Sequence, residues 1–94
     1  MDDNRYLKAL ERVMSKRYSV DEYCIGCYQE SAVCIQHENN MWVLYNGERG
    51  NRYNEVLCDT VLKGCLEFFR RFSNSADELS AMEDELVKEY DSLS

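Results

Sequence analysis

Between Met41 and Phe72 the apolar residues change period, and that change constrains the fold more than any other stretch. Met41-Trp42-Val43-Leu44-Tyr45 is a short continuous apolar run of the kind a buried strand requires. It leads into Asn46 and Gly47-Glu48-Arg49-Gly50, whose two glycines can supply the positive φ angles that end a strand and redirect the backbone. From Val56 onward Leu57, Val61, Cys65, Phe68 and Phe72 recur every three or four positions, with Leu62, Leu66 and Phe69 widening the stripe. The spacing predicts an amphipathic helix N-capped by Asn54. Arg70 and Arg71 lie at its far end, where positive charge complements the dipole.

The remaining segments can be ordered around this unit. Asp2 to Arg17 carries Tyr6, Leu7, Leu10, Val13 and Met14 on one face, acids at its start and Lys16 and Arg17 at its end, which predicts a first helix. Tyr23 to Tyr28, Ala32 to Glu38 and Met41 to Tyr45 are rich in Tyr, Val, Ile, Cys and Trp and are separated by polar residues, so they read as a three-stranded antiparallel meander. After Ser73-Asn74-Ser75, the pair Ser75 and Glu78 forms a capping-box pattern, and Leu79, Met82, Leu86, Tyr90 and Leu93 follow at helical spacing. The expectation is one α+β domain over residues 1–94: helix, three strands, then two helices packed on the sheet.

Ninety-four residues without proline are enough for one core, but a deep enclosed active site would be hard to fit. No apolar run is long enough to cross a membrane. The opening Met-Asp-Asp-Asn-Arg is acidic and lacks the apolar centre of a signal peptide, so a cytoplasmic location is expected. The five cysteines lie within apolar segments and read as reduced core thiols. Cys24-Ile25-Gly26-Cys27 has metal or redox spacing, but residues three apart on a strand face opposite sides, and no helix begins there to activate a thiol. No metal and no cofactor are expected. His37 is the only histidine, with no nucleophile motif to serve, and the glycines at 47 and 50 lack the Lys-Ser/Thr ending of a phosphate loop. An enzyme is not expected.

Charge separates the remaining classes. The formal charge is -7; residues 1–74 hold 11 acidic and 10 basic side chains, whereas residues 75–94 hold 7 acidic and 1 basic. A helix, three strands and a helix is also the order of double-stranded RNA-binding domains, which meet phosphates with basic residues at the start of the helix after the sheet. Here that region offers Glu55, Asp59 and only Lys63, so no nucleic-acid partner is expected. The last helix would carry Asp77, Glu78, Glu83, Asp84, Glu85, Glu89 and Asp91. Asp84 and Lys88 make a favourable pair, Glu85 and Glu89 a repulsive one, and Glu89 and Asp91 sit at the unfavourable end of the dipole. Such a face is either simply solvated or built for a basic partner.

The residues Trp42-Val43-Leu44-Tyr45-Asn46-Gly47-Glu48-Arg49-Gly50, followed by Tyr53-Asn54-Glu55 and by Cys65-Leu66 and Phe68-Phe69-Arg70-Arg71-Phe72, resemble small immunity proteins of bacterial polymorphic toxin systems. The resemblance covers residues 41–72. It implies a cytoplasmic protein that binds and blocks a cognate toxin domain, with Glu48 and Arg49 in a turn whose role is structural or partner-facing. The expected partner is a basic toxin domain, such as a nuclease, met by Asp77, Glu78, Glu83, Asp84, Glu85 and Glu89, with Glu48, Arg49 and an aromatic anchor at Trp42 or Tyr45. A non-catalytic adaptor, or a module pairing with itself through the last helix, is the alternative; a monomer is expected.

Overall fold

A computed structural model describes residues 3–93; Met1, Asp2 and Ser94 lie outside the described residues, and with them the expected place of Asp2 in the first helical turn. Along the chain come α1 (Asp3–Arg17), β1 (Tyr23–Ile25), β2 (Val33–Glu38), β3 (Met41–Glu48), β4 (Asn51–Cys58), α2 (Val61–Phe72) and α3 (Ala76–Ser92). The α+β class is as expected. The sheet, however, has four strands in the order β1-β2-β3-β4, and its first pair runs parallel.

The fourth strand comes from the segment expected to open the helix. Gly47 does not end β3; it lies within the strand, where an added Cβ would meet the Gln29 carbonyl oxygen at 2.5 Å. The chain instead reverses at Arg49 and Gly50, whose φ angles of 53° and 77° make the two-residue turn that suits a twisted hairpin, and Glu48 pairs with Asn51. Asn54 is not a helix cap. It has φ 56° and falls where the ladder shifts register, so that Tyr45 alone faces Asn54 and Glu55 across a β-bulge. Helix α2 starts at Val61, and the Thr60 side chain accepts the Lys63 N–H at 3.2 Å as its cap.

The parallel pair has an equally local cause. β1 is only three residues long, so residues 26–32 can carry the chain back alongside it without a helical crossover. The return begins at Gly26, with φ 88°, whose N–H donates to the Ile35 carbonyl at 2.7 Å. That turn folds Cys27 onto Cys24, Cα to Cα 5.8 Å, and the two are joined as a disulfide. The expectation of five free thiols is corrected here: the strand stops at Ile25, so the opposite-faces rule does not reach Cys27. Cys34, Cys58 and Cys65 are free and buried.

Most of the core lies on one face of the sheet. α2 rests on β2, β3 and β4 and buries Val61, Cys65, Phe68 and Phe69 against Ile35, Trp42 and Leu44. Each of those large side chains contributes roughly 1.5–3 kcal/mol by transfer from water. α1 adds Ala9, Leu10, Val13 and Met14, and α3 adds Met82 and Leu86. α3 packs chiefly along α1 and secondarily on α2, which corrects the picture of two final helices both lying on the sheet. Its start is as read from the sequence, with the Ser75 hydroxyl accepting the Glu78 N–H at 3.1 Å. On the opposite sheet face Cys24, Ala32, Cys34, Val43 and Tyr45 form a smaller cluster.

Candidate partner-binding surface

Docking of α3 along α1 sorts the acidic residues of the last helix. Arg12, Lys16 and Arg17 lie on the α1 flank that α3 approaches. Glu85 meets Arg17 at 2.7 Å, and Glu89 lies between Lys16 at 2.5 Å and Arg12 at 3.5 Å. Glu78 accepts the Tyr18 hydroxyl at 3.0 Å and the Asn74 N–H at 3.4 Å. Hydrogen bonding and charge from Lys16 hold the Glu89 carboxyl below its ordinary value. Three carboxylates expected to face a partner are therefore turned onto the molecule's own groups. The same ion pairs relieve the Glu85–Glu89 repulsion. Arg5 serves the unfavourable end of the dipole: its Nε donates to the Tyr90 carbonyl at 2.7 Å, and its guanidinium lies 4.0 Å over the Tyr90 ring.

The other flank differs. The carboxylates of Asp77, Glu83, Asp84 and Asp91 have no hydrogen-bond or ion-pair partner among the described residues, and the expected Asp84–Lys88 pair is not formed. Glu83, Asp84 and Asp91 rim an open groove of about 470 Å³ between α2 and α3. Leu62 and Leu66 of α2, Leu86, Val87 and Tyr90 of α3 and Tyr6 of α1 form its walls. Val87 is 59% exposed, and no lysine, arginine or histidine lines the groove. Sequence reading missed these wall residues as a set. The available signal was Val87 itself, an aliphatic residue standing outside the Leu79-Met82-Leu86-Tyr90-Leu93 series.

The aromatic anchors are corrected. Trp42 lies on the helix-facing side of β3 and is 6% exposed, with His37 stacked on it at 4.5 Å; Tyr45 is fully buried on the other face. Neither can reach a partner without unfolding the sheet. Tyr45 donates its hydroxyl to Gln36, and Arg52 lies 4.5 Å over its ring while bridging to Glu38 at 2.6 Å. Burial pushes the Tyr45 phenol up to about 12, and the Arg52 contact draws Glu38 down.

Glu48 and Arg49 sit at the hairpin tip, separate from the α2/α3 groove. Their side chains make no hydrogen bond or ion pair among the described residues. The tip is held through its backbone: the Arg49 N–H donates to Glu30 at 2.5 Å and the Gly50 N–H to the Tyr28 hydroxyl at 2.8 Å. Glu48 also edges a shallow cleft of about 460 Å³ with Glu22, Ser31 and Phe72. Among the described residues no group of three or more His, Cys, Asp and Glu side chains is gathered to hold a metal ion, and no helix is long and apolar enough to cross a membrane.

No family model, curated protein or solved structure matches the chain.

Proposed function

We propose that this chain is an immunity protein that neutralises a toxin domain by stoichiometric binding, covering the active site or substrate surface of a basic enzyme such as a nuclease. One observation carries the reading: Glu83, Asp84 and Asp91, unpaired, rim an apolar groove on a chain of net charge -7. Negative potential around a dry contact is an arrangement that speeds association with a cationic surface and then holds it. The resemblance over residues 41–72 supports the same assignment. It does so through residue pattern alone, because β4 intervenes where that pattern reads as turn followed directly by helix. We place the protein's action in the cytoplasm on the resemblance over residues 41–72 alone; the Cys24–Cys27 disulfide is the feature that speaks against that location.

Self-association through this flank is disfavoured, since two copies would bring two sets of unpaired carboxylates together. The test is co-expression with the product of the adjacent upstream reading frame. Protection of growth and recovery of an equimolar complex are expected. Loss of growth despite full expression of this chain, with no complex recovered, overturns the proposal. Sedimentation of the isolated protein should show a monomer whose mass is independent of concentration.

A further inference from the structure

We infer that the groove between α2 and α3 seats a basic amphipathic helix of the partner, with an aliphatic side chain against Leu62, Leu66 and Val87 and lysine or arginine side chains against Glu83, Asp84 and Asp91. The inference rests on reading the chain as a binding protein and adds the place and the chemistry of contact.

The occupant follows from the walls and the rim. The walls are aliphatic and aromatic side chains on three helices, so they offer no row of backbone donors and acceptors. An extended segment laid there would leave its own N–H and C=O groups unmatched against apolar walls, whereas a helix arrives with those groups already bonded. A helix also fits the cleft between two others, because its side-chain ridges enter the groove that their ridges leave.

Along α3 the acidic and apolar positions run Asp84, Val87, Asp91, which are one and two turns apart on one face. That repeat spans about 10 Å and matches contacts spaced three to four residues apart on a docking helix. The rim selects charge. With no cation among the lining residues, an anionic ligand is repelled and a neutral one leaves three carboxylates without counter-charges. The groove covers only part of a standard interface, so an isolated helix should bind weakly and the whole partner more tightly.

The experiment is a backbone-amide NMR titration of the full chain with a synthetic leucine/lysine amphipathic peptide of about four helical turns. A scrambled peptide of the same composition and a leucine/glutamate analogue serve as comparisons. Shifts centred on Leu62, Leu66, Val87 and Tyr90 are expected, with affinity at least about tenfold above that of the scrambled peptide and no response to the acidic analogue. Val87→Asp, and separately Glu83→Gln with Asp84→Asn and Asp91→Asn, should each weaken binding about tenfold while leaving the far-ultraviolet spectrum unchanged. Equal binding of the scrambled peptide, shifts centred on the hairpin tip, or wild-type affinity in both variants overturns the assignment. Growth protection separates the two claims. If both variants protect against the toxin as well as the parent chain, the groove is not the contact, although the toxin-neutralising reading stands. If the peptide behaves as expected but no protection occurs, the groove stands and that reading falls.

Discussion

On its α1 flank α3 presents Glu85 and Glu89 to Arg12, Lys16 and Arg17; on its α2 flank the carboxylates of Glu83, Asp84 and Asp91 form no ion pair among the described residues, and the Arg5 guanidinium reaches Asp91 at its backbone carbonyl, at 3.5 Å. The residues are of the same type, on the same helix, within three turns of one another. What divides them is the neighbour each is turned towards. One flank is tied into the fold, and the other keeps its charge available. A count of acids along a helix therefore overstates the field it offers a partner, because only carboxylates left without an internal cation project their full charge outward.

The largest expected effect comes from the residue between the flanks. Leu86→Ala removes a side chain that is 1% exposed and should cost about 2–5 kcal/mol in denaturant unfolding. Val87→Ala, one residue on and 59% exposed, should stay within about 0.5 kcal/mol. Equal losses at the two positions would break the division of α3 into a tied and an open side.

Next in size is charge reversal. Glu89→Lys places a cation beside Lys16 and Arg12 and should lower the melting temperature, though by less than Leu86→Ala. Glu83→Lys breaks no ion pair and should hold or slightly raise the melting temperature, since it lowers the net negative charge of a chain that carries -7. Thermal denaturation at low salt reads both.

Acid titration sharpens the same contrast. Glu89, Glu38 and Glu30 are each held below the ordinary 4.5 by hydrogen bonds and neighbouring cations or backbone N–H groups. Between the lowered folded values and 4.5 the unfolded chain binds more protons than the native one, so stability rises with pH through that window. The contribution is complete above 4.5 and is lost as pH falls through the folded values. Melting temperature should be flat down to about pH 5 and decline below it. Glu89→Gln should make that decline shallower. The smallest expected effect is on the stability of Glu83→Gln combined with Asp84→Asn, a change within about 0.5 kcal/mol, with its consequence confined to partner association.

The first helix and the capped start of the last were legible because both rest on local rules, apolar spacing in one and the Ser75–Glu78 box in the other. β4 was not. Leu57 falls in step with Val61, Cys65, Phe68 and Phe72, so helical spacing ran through it without a break. The bulge at Asn54 meanwhile moved Tyr53 and Val56 to one side of the strand three residues apart, which hid the alternation. Asp59-Thr60 before Val61 was the missed boundary signal. In the candidate site, the acidic positions could be listed from sequence, but their sorting depended on α3 lying along α1, a long-range contact that no local pattern encodes. Trp42 and Tyr45 were misjudged as anchors although Met41–Tyr45 is apolar on both faces, and both faces are covered, Trp42 on the α2 side and Tyr45 in the smaller cluster opposite.

The bulge has a further consequence for how the molecule behaves in company. β4 is the last strand of the sheet, with most of its side chains exposed, and such a margin can recruit neighbouring chains. Asn54 kinks it midway, and the Arg71 guanidinium occupies the Asn54 carbonyl. Deleting Asn54 would straighten that margin into a flat template for strand addition by a second copy, read as a sedimenting mass that grows with concentration.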